Sequence, residues 1–361
     1  MKIRISGLMG RQHSWSHTTR SLAKEFYKLG NEIFLHPTDG TDFLDKSILE
    51  FVGRKEEFPD LDITYTLPVN YKKRFLKNSK VKASIFNYES SILPSVWKDA
   101  DKNLDLIFPS SNYCKEIFIN AGWEEKKIEV VPLGVDYNYF SSSKKLNGFD
   151  DKFNFLNISI PHYRKHIDVM IEGFYRAFEG VDDVRLMLKT SLAVPSPRNA
   201  FECFVPKIIQ NIQQKLRFKK YPCLTLITEN YKNLGSLYKA SDCLVSTSGA
   251  EGFGLPMLEA MCCDTLVAST NVTGQKDFLD NSNSIIIPSK KISADKRYQY
   301  WRSSKGASIF RPNVNDVADI LIDIYQNSNT LRESRLQRMQ DTAKAHSWEN
   351  SANKILSKVK I

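Results

Sequence analysis

Residues 246–269 read STSGAEGFGLPMLEAMCCDTLVAS, and the reading of this stretch decides the fold. An apolar strand over 243–247 runs into a glycine-rich turn, a short helix entered through Pro256, and a second apolar strand over 265–269. Proline is tolerated at a helix start because its missing N–H would have no partner there. Gly252 and Gly254 lack a Cβ, so a ligand can approach the backbone directly, with the amide groups and partial positive charge of the helix start aimed at it. That is a place for a phosphate. Two carboxylates accompany it, Glu251 in the turn and Glu259 on the helix among Leu255, Met257, Leu258, Ala260, Met261, Cys262 and Cys263. A helix apolar all round is a buried one, and a buried carboxylate needs a partner. Glu259 either holds backbone groups or, with Glu251, accepts from sugar hydroxyls.

The pair and its surroundings resemble the E-x7-E motif of glycosyltransferase family 4, the retaining, nucleotide-sugar-dependent enzymes of GT-B fold. The resemblance implies that Glu251 contacts the donor sugar and Glu259 the ribose. It also places the backbone of Phe253 and Gly254, continuing to Leu255, near the sugar and diphosphate.

Working outward, apolar strand-like runs recur, mostly separated by helical segments: 2–6, 32–36, 62–66, 83–87, 104–109 and 128–132, then 153–159, 184–190, 223–228, 242–247, 265–269 and 284–288. Such alternation argues for an α/β chain with doubly wound parallel sheets. A chain of 361 residues exceeds one usual domain. The polar segment 141–153 suggests the break, giving an expected first domain over 1–145 and a second over 146–347. The GT-B resemblance makes these two Rossmann-like domains facing across a cleft, acceptor on the first and nucleotide sugar on the second, with the last helix (348–361) packing back on the first.

The second domain opens with FLNISIPHYRKHIDVMIEGFYRAF, in which Arg164 and Lys165 follow a strand and precede a helix. This resembles the family's strand–loop–Arg-Lys–helix unit, although His166 stands where glycine or asparagine is often found. A departing nucleoside diphosphate gains negative charge, and preorganised cations stabilise it; arginine offers a bidentate fork, lysine a point charge. Arg164, Lys165 and Glu251 are therefore the expected catalytic set. In the first domain the turn after the opening strand holds Gly7 and Gly10, then Arg11, Gln12, His13 and Ser14. Ligands of open α/β sheets bind at the carboxyl ends of strands. Gly10 is accordingly assigned to the donor side and His13 to the acceptor. Glu89, after the fourth strand, is a second acceptor-side candidate; many family members have a histidine nearby, where this chain has Asn87, Tyr88 and Glu89.

Other features carry less. Asp60-Leu61-Asp62 resembles a metal-chelating Asp-x-Asp but precedes its strand, on the wrong side for a ligand, and reads as polar turn residues. The segment YKKRFLKNSKVK (71–82) carries six cations and no acid; it suits either a solvated helix face or an anionic membrane surface. Residues 289–312 mix cations and aromatics and read as a surface insertion rather than a nucleic-acid site. The net charge of +10 permits anionic partners without choosing among them. Six scattered cysteines suggest neither a disulfide framework nor a zinc site. No apolar run is long enough to span a membrane and no leader is evident, so a cytoplasmic, membrane-associated or free, enzyme is expected. The expected partners are a nucleotide sugar and a glycan, glycolipid or protein acceptor, without metal or other cofactor. A GT-B phosphorylase or epimerase, or a non-catalytic glycan- or nucleic-acid-binding protein, are the alternatives.

Overall fold

The structure is a computed structural model describing residues 1–11, 13–192, 204–229, 231, 233–294 and 306–359. Gln12, and the cations and aromatics between 295 and 305, lie outside the described residues. The chain divides into two compact units: Met1–Val135 with Ala345–Ile361, and Asp136–Lys344.

The first unit carries β1 (Lys2–Gly7), β2 (Glu32–Pro37), β3 (Leu61–Tyr65), β4 (Val81–Ile85) and β5 (Leu106–Phe108) in the order β2-β1-β3-β4-β5, every pair parallel. Buried Ile3, Ile5, Ile33, Leu35, Ile63, Ala83 and Ile107 form its core. The run at 128–132 becomes a single parallel bridge, Ile107 to Ile128: Glu129 N donates to Ile107 O and Val131 N to Pro109 O, but Pro109 has no N–H to donate back. Asp62 corrects the turn reading of Asp-Leu-Asp. It lies inside β3, fully buried, and accepts from Arg4 Nη1 at 2.8 Å, Leu76 N at 2.8 Å and Ser79 Oγ at 3.0 Å. The basic segment is therefore anchored from beneath, with Tyr71 buried and only Tyr71–Arg74 helical. Helix Trp348–Lys358 packs against helix Ser14–Lys28, burying Trp348, Ala352 and Ile355, while Ser351 Oγ donates to Pro132 O at 2.7 Å.

The second unit carries β6 (Phe153–Ile158), β7 (Val184–Lys189), β8 (Cys223–Ile227), β9 (Cys243–Ser246), β10 (Leu266–Thr270) and β11 (Ile285–Ile287) in the order β11-β10-β9-β6-β7-β8, again parallel. Its strand order reverses between β6 and β9. A separate antiparallel ribbon pairs β12 (Ser289–Ser293) with β13 (Ser308–Pro312). The break at 135/136 precedes the expected 145/146. The short helix Tyr137–Ser141 belongs with the second unit, since Phe140 is buried and its carbonyl accepts from Cys263 Sγ at 3.3 Å. Among the described residues no helix is long and apolar enough to cross a membrane.

Candidate active site

The turn leaving β9 and the loop leaving β6 meet at the reversal of strand order, where ligands of open parallel sheets bind. A small hollow there is lined by Asn157, Ser159, Lys165, Ser246, Glu251 and Pro256, among others. Gly254 caps helix Leu255–Cys262 with φ 119° and ψ 47°, a left-handed conformation that side chains rarely adopt. Every residue of that helix but Pro256 is buried, as its apolar sequence requires. Phe253 is buried against Phe278, the ring centroids 5.1 Å apart.

Glu251 is the centre of the charge arrangement. Its carboxylate accepts from Lys165 Nζ and, at 3.2 Å, from Arg164 Nη1, which also donates to Ala250 O at 2.5 Å. Burial pushes the Glu251 carboxyl up, yet the adjacent charges of Lys165 and Arg164 outweigh it and hold the pKa at about 2. It is ionised at neutral pH, between cations already in place. The Glu251 amide donates to Thr273 Oγ1 at 2.7 Å; Thr273 in turn donates to Gln275, whose amide reaches Thr270 O at 3.1 Å. A Cβ on Gly274 would stand 2.2 Å from Gly252 O, so the Gly274–Asp277 turn is seated directly on the glycine-rich one.

Glu259 is arranged differently. Buried and absent from the lining of that hollow, its Oε2 accepts from Tyr238 Oη at 2.6 Å. Burial raises its pKa to about 7, against which the Tyr238 hydrogen bond works. The structure thus brings Arg164, Lys165 and Glu251 together, with Glu259 held separately on the helix behind the turn. Nor does the hollow include Lys189, Thr190 or Ser191 at the end of β7.

Gly10, His13 and Glu89 belong to the first unit. The Gly10 amide, expected on the donor side, donates to Asp39 Oδ1 at 2.9 Å, and a Cβ on Gly10 would stand 2.5 Å from Asp39 O. His13 caps helix Ser14–Lys28, its Nδ1 accepting from Trp15 N at 3.2 Å, and burial lowers its pKa. Trp15 stacks on Tyr65 at 4.8 Å, beside the β1–β3 reversal of that sheet. Glu89 is half-buried and its carbonyl accepts from Tyr113 Oη at 3.2 Å. Its neighbour Asn87 ties three strand ends, donating to Tyr65 Oη at 3.2 Å and accepting from Ser110 N at 2.8 Å. Among the described residues no cluster of three or more histidine, cysteine, aspartate or glutamate side chains could hold a metal ion.

Residues 216–301 match the Glycosyl transferases group 1 family. That segment holds Glu251 and Glu259 but not Arg164 or Lys165. A probable sucrose-phosphate synthase of Thermosipho melanesiensis is 27% identical over 292 residues, 70% of this chain and 65% of that protein. The chain therefore spans just under two thirds of that relative. Among solved structures, HepE of Anabaena, in complex with UDP and glucose, superposes with a TM-score of 0.72 at 15% identity, covering 99% of this chain and 98% of that one. A glycosyltransferase from Rickettsia africae ESF-5 gives 0.71 at 15% identity, covering 99% and 97%. The fold is GT-B, built of two parallel-sheet Rossmann-like units.

Proposed function

We propose that the chain is a nucleotide-sugar-dependent glycosyltransferase of family 4 type, transferring a sugar to an acceptor hydroxyl with retention at the anomeric carbon. The observation that carries this reading is the ion-paired cluster of Arg164, Lys165 and Glu251, of which Lys165 and Glu251 line a hollow where the strand order of a parallel sheet reverses. The family match and the UDP present in the HepE complexes support it, and make UDP-sugars the first donors to assay.

In this reading the anomeric carbon–oxygen bond to the diphosphate breaks and a bond to the acceptor oxygen forms on the same face of the sugar. The acceptor proton passes to the leaving phosphate oxygen. Arg164 and Lys165 stabilise the charge gathering on that diphosphate, joined by the amides of Gly252 to Leu255. Glu251, ionised by those same cations, accepts from sugar hydroxyls, and Glu259 serves the ribose. His13 and Glu89 stand on the acceptor side, a glycan, glycolipid or protein. The cationic pair supplies the neutralisation a divalent ion would otherwise bring, so no metal is called for.

The test is a donor screen with UDP-, GDP- and ADP-sugars. One nucleotide should be preferred, and Glu251→Ala should lower transfer, and slow donor hydrolysis without acceptor, by at least about a hundredfold. Both activities should survive EDTA. A strict Mn²⁺ or Mg²⁺ requirement, or an undiminished Glu251→Ala, would sink the reading.

A further inference from the structure

The loop that presents Arg164 and Lys165 is tied at its far end to the β12–β13 ribbon. His166 adopts φ 48° and ψ 45°, the left-handed region that glycine and asparagine enter most easily, which costs a histidine about 1 kcal/mol or more. Its side chain is fully buried and makes contacts those residues could not. Nδ1 lies 2.9 Å from Arg311 Nη1, and Nε2 lies 2.8 Å from Phe310 O. A guanidinium only donates, so Nδ1 is the acceptor and the Nε2 proton goes to the Phe310 carbonyl. Arg311 is braced in turn, its Nη2 donating to Asp168 Oδ2 at 2.6 Å on the helix that follows.

A second tie runs through the glycine-rich turn. Phe310 N donates to Gly249 O at 3.0 Å, Gly249 N donates to Arg164 O at 2.7 Å, and Thr247 Oγ1 contacts the carbonyls of Lys165 and His166 at 3.0 and 3.1 Å. A Cβ on Gly249 would stand 1.7 Å from Phe310 O and 2.7 Å from His166 Nε2, so ribbon, loop and turn are in direct contact. Ala250, Ala294, Ala307 and Ile309 seal the junction, with Ile292 against them. None of these ties lies within the β6–β11 sheet.

We propose that the β12–β13 ribbon, acting through Arg311 and the Phe310 carbonyl on His166, is the element that holds Arg164 and Lys165 in register for a diphosphate. Arg311 and His166 are positioning residues in this scheme and touch no ligand themselves. The proposal rests on the glycosyltransferase reading above. Two variants test it. His166→Gly suits the left-handed backbone while removing the ring, and Arg311→Met removes the guanidinium from the edge of a two-stranded ribbon. Wild type and variants are titrated calorimetrically with UDP, GDP and ADP, and with the nucleoside of whichever binds.

Both variants are expected to melt within a few degrees of wild type and to bind that diphosphate about tenfold more weakly, while affinity for the nucleoside stays within about twofold. Should wild type bind none of the three diphosphates, the functional reading itself fails. If wild type binds and either folded variant binds equally well, the ribbon is not a positioning element. An equal loss for nucleoside and diphosphate, or unfolding of both variants, also overturns the proposal, since the ribbon would then be holding the fold rather than the cations.

Discussion

Glu251 and Glu259 sit eight positions apart on one turn and helix, yet their surroundings drive their protonation in opposite directions. Glu251 is buried between Lys165 and Arg164 and stays ionised; its contribution to stability is present above the ordinary carboxyl pKa of 4.5 and is lost as pH falls from there towards 2. Glu259 is buried with Tyr238 alone and titrates near 7, so the folded state holds a proton that the unfolded chain has released by then. The sign follows directly. Stability from Glu259 is complete below 4.5 and is lost as pH rises through 7, by about 3 kcal/mol in all. Urea unfolding of wild type and Glu259→Gln should therefore diverge between pH 5 and 8, the variant losing less stability; parallel profiles would show that Glu259 is already ionised at low pH. The two glutamates could be picked out from sequence because an acid in an apolar helix is conspicuous. Their opposite electrostatics could not, since Tyr238 lies 21 residues before Glu259 and Lys165 lies 86 before Glu251.

At the level of elements, glycines mark where one piece of backbone rests on another. Gly274 brings the Gly274–Asp277 turn against Gly252, and Gly274→Ala would drive a methyl into the Gly252 carbonyl at 2.2 Å. The glycine-rich turn must then shift, at roughly 1–3 kcal/mol. The expected outcome is a lower melting temperature together with a more than tenfold loss of nucleoside-diphosphate affinity; unaltered affinity would mean that the turn does not contact the ligand. The strand–turn–helix–strand unit was legible because Gly252, Gly254 and Pro256 punctuate apolar runs that have the lengths of buried strands. Arg164 and Lys165 were legible from their place after a strand. Thr273, Gln275 and Arg311 were not, being ordinary polar residues whose partners are distant in the chain. The strand expected at 128–132 failed because Pro109, opposite it, has no N–H to donate, and Asp62 failed because its acceptor role depends on Arg4, 58 residues earlier.

Over the whole molecule, the two parallel sheets followed from β–α alternation, whereas the point of division did not. A serine- and lysine-rich stretch marks flexibility of composition, but Phe140 and Cys263 decide which unit owns the helix before it. The C-terminal helix belongs to the first unit, and a Cβ on Gly134 would stand 2.2 Å from Trp348 N, so only glycine lets the two backbones meet there. Burying Trp348 and Ile355 contributes about 1.5–3 kcal/mol each. Removing residues 345–361 should thus lower the melting temperature of the first unit by at least about 5 °C, read by differential scanning calorimetry, and Gly134→Ala should move it in the same direction. An unshifted transition would mean that the tail is ornamental.

Val135 N donates to His346 O at 2.8 Å, and Val135 bridges Ser347. The polypeptide therefore departs from the first unit and returns to it at adjoining residues, which makes everything from 136 to 344 a guest spliced into a host at a single doorway. A short flexible tether across that doorway would bridge almost no distance, so the host could be produced as a permuted or guest-free miniature and studied by itself.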